Sequence, residues 1–214
     1  MSTGQDRHAE TAHEAPADGL LQALHGRLVA RAQDEGLLDV AYRVVDSPVG
    51  RVLVAASDSG VLRVAFEVQG HDAALEDLAV RVSPRVLEGG PRLDPVLREL
   101  EEYFAGRRTG FDVPLDLRLA RGFRRDVVTT LPRIGYGTTA SYTQVAAAVG
   151  RPAAVRAVGT ACALNPVPLL VPCHRVVRSD GSSGRYAGGD EAKRTLLALE
   201  RATAGALAPP AHGA

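Results

Sequence analysis

The chain has 214 residues, enough for one or two domains, and 45% of them are apolar, which is ample for a buried core. No apolar run reaches the length of a membrane helix, and the polar, acidic segment 1–18 lacks the apolar stretch of a secretory signal. Two cysteines do not make a disulfide framework, so we expect a reducing, cytoplasmic setting and no membrane contact.

The charges are unevenly distributed although the formal net charge is zero. Residues 118–201 carry 13 Lys and Arg against 5 Asp and Glu, whereas residues 1–117 carry 12 against 20. This asymmetry indicates that the C-terminal half binds a polyanion such as nucleic acid. Mutual attraction of two oppositely charged halves is the alternative explanation.

The first 117 residues predict a disordered start followed by a small mixed domain. The polar composition of residues 1–19 favours disorder, and His8 and His13 have no accompanying ligands for a metal site. An apolar stripe at helical spacing predicts a helix over about 20–35 that docks on the body of the protein; its members are Leu20, Leu21, Leu24, Leu28 and Val29. Further along we expect strands over 41–46, 50–56 and 61–68, then helices over 73–82 and 94–104.

The C-terminal part predicts two helices joined by a short turn. Residues 122–131 are expected to form a helix, and Ser141 is a suitable N-cap for another helix over 142–149. The turn 150–152 contains glycine and proline, and the next helix is expected over 153–164. Helix, glycine-containing turn and helix are typical of a helix-turn-helix, although many helical hairpins share the pattern.

A cysteine follows an apolar, strand-like run at residues 169–172. A single cysteine is more often a buried small hydrophobe than a nucleophile. Here His174 follows Cys173 directly, and a thiol with an ordinary pKa of about 8.5 needs such a base to become a thiolate. Adjacent side chains on extended backbone point in opposite directions, so we expect the histidine to reach the sulfur through a water.

The run Pro-Cys-His-Arg-Val at 172–176, with Asn165-Pro166 before it, resembles the O6-alkylguanine-DNA alkyltransferases. The resemblance is close from about residue 122 to residue 200. It implies an α/β (α+β) fold in which a small N-terminal domain has a three-stranded antiparallel sheet with helices. The C-terminal domain is then mainly helical, with the helix-turn-helix and the active-site cysteine. Together with the composition and a linker over 109–121 that contains Pro114, this divides the chain into a partly disordered extension with one helix at 1–39, a support domain at 40–118, the DNA-binding and catalytic domain at 119–201 and a disordered tail at 202–214.

The same resemblance assigns roles to individual residues. Cys173 accepts the alkyl group, and Glu200 orients His174 so that it activates the thiol. Lys193 is expected to support the pocket tyrosine, Tyr186. The expected substrate-binding residues are Tyr142, Asn165, Val176, Tyr186, Ala187, Gly188 and Lys193. The expected DNA-binding residues are Tyr142, Arg151, Arg156 and Ala157, with Arg156 taking the place of the flipped base.

The resemblance therefore implies direct repair of DNA without a cofactor or a metal. The alkyl group of O6-alkylguanine, and by extension of O4-alkylthymine, passes irreversibly to Cys173 after the base has been flipped out through the minor groove. One monomer would repair one lesion, and the N-terminal domain, which lacks the cysteines of zinc-binding relatives, would only give support. The alternatives are a helix-turn-helix protein that flags damage without chemistry, and another cysteine enzyme such as a hydrolase.

Overall fold

The computed structural model describes residues 15–207. The α-helices in this range are α1 (Ala15–Asp34), α2 (His71–Arg81), α3 (Asp94–Phe104), α4 (Phe123–Thr130), α5 (Tyr142–Ala148), α6 (Val155–Ala163) and α7 (Gly189–Leu207). The strands are β1 (Val40–Val45), β2 (Val52–Ser57), β3 (Gly60–Phe66), β4 (Val86–Glu88), β5 (Ala140–Ser141) and β6 (Val176–Val177). The expectations for residues 1–14, including His8 and His13, and for residues 208–214 lie outside the described residues.

The N-terminal sheet has the strand order β3-β2-β1-β4. The predicted antiparallel meander of β1, β2 and β3 is present, and β4 adds a fourth strand that pairs parallel with β1. The expectation of three strands missed β4. Only three residues form this strand, which is too short for an alternating pattern to mark it in the sequence.

The sheet is covered on both faces, and one of these faces contacts the C-terminal half. Side chains alternate between the faces of a strand. Leu53 and Ala55 of β2 pack with Leu78 of α2. Val52 and Val54 belong instead to the core that also contains the buried residues of α4, α5 and α6. The N-terminal sheet is thus packed directly against the half of the chain that carries the cysteine.

Helix α1 docks differently from the prediction. Its leucines are mostly exposed: Leu20, Leu21, Leu24 and Leu28 retain 61%, 63%, 48% and 56% of their accessible surface. Contact is made by the neighbouring face of the helix, where Val29 and Ala32 are buried. On that face the His25 ring also lies 2.7 Å from the carbonyl oxygen of Glu88. Helical spacing identified the helix correctly but not the side that packs.

The predicted helix-turn-helix is formed by α5 and α6, both of which pack on α4. The Ser141 hydroxyl accepts a hydrogen bond from the Gln144 backbone at 3.1 Å, and the Gln144 side chain accepts one from the Ser141 backbone at 2.7 Å. Ser141 is therefore the predicted N-cap, within a reciprocal capping box.

Helix α7 continues beyond its predicted end. The tail was expected to be disordered from residue 202, whereas residues 202–207 are helical. Alanine is common in this segment and has the highest helix propensity of all residues. Within residues 15–207, no helix combines the length and apolarity that crossing a membrane requires.

Candidate active site

Cys173 begins a short 3-10 turn, Cys173–Arg175, between the loop that follows α6 and strand β6. The approach includes Leu169, whose φ of 74° is rare for a residue with a side chain and marks a strained turn. The thiol is buried, with 2% of the residue exposed. The segment before Cys173 is buried and apolar, as predicted, but it is not a strand: residues 169 and 170 form a turn, and Val171 makes only an isolated bridge to Pro168.

Asn165 ties the cysteine loop together. Its Nδ2 donates hydrogen bonds to the Val171 carbonyl at 3.0 Å and to Sγ of Cys173 at 3.2 Å, while its Oδ1 accepts one from the Val167 backbone at 3.1 Å. Burial raises the pKa of the Cys173 thiol to about 11, although the hydrogen bond from Asn165 and the charge of Lys193 act in the opposite direction. The thiol is protonated at rest and needs a base.

His174 can act as this base. Its ring is completely buried, and Nε2 lies 2.8 Å from Oε1 of Glu200. Because a carboxylate only accepts, we assign the ring proton to Nε2, which leaves the lone pair on Nδ1. Burial lowers the pKa of His174, against the opposing effect of Glu200, so the ring is neutral. Nδ1 has no hydrogen-bond partner among the described residues, in keeping with the expectation that Cys173 and His174 do not bond directly.

Glu200 is fully buried and is held by four residues. Besides His174, its carboxylate accepts hydrogen bonds from the Arg175 guanidinium at 2.9 Å to each oxygen, from the Tyr103 hydroxyl at 2.7 Å and from the Gly137 backbone at 3.1 Å. Burial alone would raise the pKa of Glu200, but the hydrogen bonds from His174 and Arg175 outweigh it and set the pKa at about 2. The carboxylate is therefore ionised at all physiological pH values.

Two of these partners of Glu200 were given no role by the sequence analysis. Arg175 is part of the recognised motif but was given no role; it is the charge that balances Glu200, and its Nη1 also donates to the Ile134 carbonyl at 2.7 Å. Tyr103 lies on α3, in the domain expected only to give support. No local signal marks it, because its partner is 97 positions away.

Lys193 holds the loop that precedes Tyr186. Its Nζ donates to the carbonyl of Val176 at 2.6 Å, and to those of Ser183 and Gly184 at 3.3 Å each. The Tyr186 hydroxyl that Lys193 was expected to support has no hydrogen-bond partner in the described part of the chain. Lys193 therefore acts on the backbone of the loop and not on the tyrosine ring. Val176, predicted to bind substrate, contributes this backbone carbonyl to the hydrogen bonds of Lys193, and its side chain is buried.

The loop 186–188 packs against the N-terminal sheet. The Tyr186 ring packs edge-on against Phe66 of β3, with centroids 5.4 Å apart, and against His174 at 6.0 Å. A Cβ on Gly188 would lie 2.9 Å from the Phe66 ring, closer than side chains approach each other. A larger residue at 188 would therefore displace Phe66. Gly188, which the resemblance assigns to substrate binding, is thus also constrained by its contact with Phe66. Ala187, beside it, is half-buried.

The predicted DNA-binding residues lie on and around α6. Arg156 and Ala157 are exposed on this helix, and Arg151 is exposed in the preceding turn, where its guanidinium sits 5.6 Å above the Phe123 ring. Tyr142, at the start of α5, is half-buried; burial raises its pKa, so its hydroxyl stays protonated. Tyr142 also packs so close to Gly184 that a side chain at position 184 would have to displace it.

Both halves of the chain match known domains. Residues 40–117 match the ribonuclease-like domain of 6-O-methylguanine DNA methyltransferase, and residues 122–202 match the DNA binding domain of the same family. The chain belongs to the 6-O-methylguanine DNA methyltransferase family. Helix α1 lies outside both matched ranges.

Individual members of this family are similar over most of the chain. A methylated-DNA–protein-cysteine methyltransferase of Mycolicibacterium paratuberculosis is 40% identical over 162 residues, which are 76% of this chain and 93% of the relative. The crystal structure of Mycobacterium tuberculosis O6-methylguanine methyltransferase has a TM-score of 0.68 at 36% identity, covering 80% of this chain and 96% of that one. The Mycobacterium tuberculosis OGT structure in complex with DNA gives a TM-score of 0.67 at 36% identity, with coverages of 76% and 94%. These similarities confirm the predicted family and α/β fold.

Proposed function

We propose that this protein repairs DNA by moving the alkyl group of O6-alkylguanine, and by extension of O4-alkylthymine, onto Cys173. The observation that carries the proposal is the buried series Cys173, His174 and Glu200, in a chain that matches both domains of the methyltransferase family. The curated relatives named methylated-DNA–protein-cysteine methyltransferases support the same activity.

The reaction is a displacement at the alkyl carbon. Nδ1 of His174 takes the thiol proton, through a water, while Glu200 stabilises the imidazolium that forms. The thiolate then attacks the alkyl carbon in line with the C–O6 bond; the S–C bond forms as the C–O6 bond breaks. The guanine that leaves gains one proton, equal to the one that the thiol lost. The balance needs no metal and no redox cofactor.

The acceptor is consumed in this scheme. A thioether is chemically inert, and it is cleaved neither by Asn165, which bonds Sγ of Cys173, nor by Lys193, whose charge acts on the thiol. Each protein molecule therefore repairs one lesion. This outcome separates the proposal from a cysteine hydrolase, which would regenerate its thiol, and from a binding module, which would transfer nothing.

DNA binding is proposed for the segment 119–201 and in particular for α6. Its exposed surface carries Arg156 and Ala157, and the small Ala157 permits close approach to the sugar-phosphate wall of a groove. We propose that α6 enters the minor groove, whose degenerate code suits a lesion that occurs in any sequence. Arg156 then fills the stack as the base flips towards Cys173. The crystal structure of Mycobacterium tuberculosis OGT in complex with DNA supports DNA binding by this chain. We further propose that the protein acts as a monomer in the cytoplasm.

Stoichiometry tests the activity. The protein is mixed with an excess of duplex that carries O6-methylguanine with a labelled methyl group, and label on protein is followed over time. We expect transfer to stop at one methyl group per protein molecule. Continued release of label, or none on the protein, would contradict the proposal. The Cys173→Ala variant should bind the same duplex and take up no label.

A further inference from the structure

The carboxylate of Glu200 is held from both halves of the chain. Oε1 accepts the hydrogen bond from Nε2 of His174 at 2.8 Å and, on the same atom, one from the Tyr103 hydroxyl at 2.7 Å. Tyr103 lies in the last turn of α3 and is fully buried. A residue of the N-terminal domain thus bonds the same carboxylate oxygen as His174, the residue that follows Cys173.

We propose that Tyr103 is a positioning residue for alkyl transfer: its hydroxyl fixes Oε1 of Glu200, which keeps the His174 ring turned towards the thiol of Cys173. The inference rests on the proposed function. It gives the N-terminal domain a part in the chemistry beyond support.

The Tyr103 hydroxyl contributes a hydrogen bond that the aromatic ring alone cannot make. The Tyr103 ring packs against Phe104, Phe111 and Tyr136, with centroids 5.5, 5.2 and 6.0 Å away. A phenylalanine could make the same contacts, and a buried hydroxyl is unfavourable unless it is bonded. Burial and the nearby anion raise the pKa of Tyr103 far above its usual value, so the hydroxyl is a proton donor at every working pH.

Other charged and titratable groups also act on Glu200 and His174, and the effect of the Tyr103 hydroxyl must be distinguished from theirs. Arg175 contacts both oxygens of Glu200 and supplies the compensating charge, and the Gly137 backbone donates only to Oε2. Lys193 and Arg175 act on His174 through their charge, and Tyr186 meets the His174 ring by its edge. Without the Tyr103 hydroxyl, Glu200 stays ionised, but Oε1 loses a fixed donor and becomes more basic. A more basic oxygen stabilises the imidazolium and raises the pKa of His174.

The test compares Tyr103→Phe with Tyr136→Phe. Tyr136 belongs to the same aromatic cluster, and its buried hydroxyl has no hydrogen-bond partner within residues 15–207, which makes it the matched control. Single-turnover transfer is measured between about pH 5 and pH 9, on O6-methylguanine duplex and on free benzylguanine. We expect Tyr103→Phe to slow both reactions about tenfold, the rate change that corresponds to losing one hydrogen bond to a charged group. DNA affinity and the rates of the control should not change.

The pH profile separates positioning from packing. His174 must be neutral to accept the thiol proton. A higher pKa of His174 therefore shifts the acid limb of the rate profile to higher pH, by about half a pH unit or more for Tyr103→Phe. Incorporation of 3-fluorotyrosine at position 103 keeps the fold and strengthens the donor, so it should move the limb in the opposite direction. Wild-type rates and an unmoved acid limb in both proteins would overturn the role of Tyr103. Failure of the wild-type protein to methylate Cys173 would instead overturn the proposed function.

Discussion

Replacing Glu200 by glutamine removes a buried negative charge without changing the size of the side chain. The carboxylate accepts hydrogen bonds from Tyr103, Gly137, His174 and Arg175, which are all donors. An amide has one accepting oxygen and brings two further N–H donors into this shell. Arg175, which is also buried, is left with a neutral partner. We expect the Glu200→Gln variant to be less stable, because breaking a buried ion pair on one side leaves the other charge uncompensated.

The pKa of Glu200 sets the size of this effect. It falls from the ordinary 4.5 to about 2 in the folded protein. Each unit corresponds to about 1.4 kcal/mol, so the ionised carboxylate contributes about 3 kcal/mol to the free energy of unfolding at neutral pH. Because the folded pKa is the lower one, this contribution is fully present above the unfolded pKa and is lost as the pH falls towards the folded value. By pH 3 about 2 kcal/mol of it should be gone.

Urea unfolding of both proteins at neutral pH and at pH 3 measures this contribution. The difference in unfolding free energy between wild type and Glu200→Gln should be about 2 kcal/mol larger at neutral pH than at pH 3. Glu191→Gln, at an exposed position of the same helix, is the control and should change stability by less than about 1 kcal/mol at neutral pH. A Glu200→Gln difference that is equally large at both pH values would refute the assignment of this energy to the ionised carboxylate.

Two further substitutions test the DNA surface and the pocket wall. Arg156→Ala should slow repair of duplex DNA much more than reaction with free benzylguanine, because the role proposed for the exposed Arg156 is in base flipping and not at the thiol. Equal losses on both substrates would place Arg156 outside that step. Gly188→Trp should push Phe66 out of its position, since a Cβ at 188 already comes within 2.9 Å of the ring. We expect a stability loss of about 1–3 kcal/mol in urea unfolding together with weaker transfer of benzyl than of methyl groups, and an unchanged stability would show that the loop moves away freely.

The residues predicted from the sequence and found together are those carried by the motif and its surroundings. Asn165, Cys173 and His174 lie within ten positions, so a local pattern could identify them. Glu200 was assigned through the resemblance and indeed bonds His174. The capping box of α5 and the strands β1 to β3 also follow from local rules, because neighbouring residues determine them.

The residues that could not be predicted act across the two halves. Tyr103 and Phe66 reach Glu200 and Tyr186 only because the N-terminal sheet packs on the C-terminal core, and no pattern in the sequence reports such a distant contact. Tertiary packing also determines which face of α1 is buried: Val29 and Ala32 make the contact, and the more numerous leucines do not. These contacts could be identified only from the three-dimensional structure.

The location of the transferred group is the most direct test of the account. After reaction with O6-methylguanine duplex, the protein is digested and the peptides that contain Cys162 and Cys173 are compared by mass. Both thiols are buried, but only Cys173 bonds Asn165 and precedes His174. Burial raises the pKa of Cys162 further still than that of Cys173. We expect one added methyl group on the Cys173 peptide and none on the Cys162 peptide; a methyl group on Cys162, or on neither peptide, would contradict the proposed reaction.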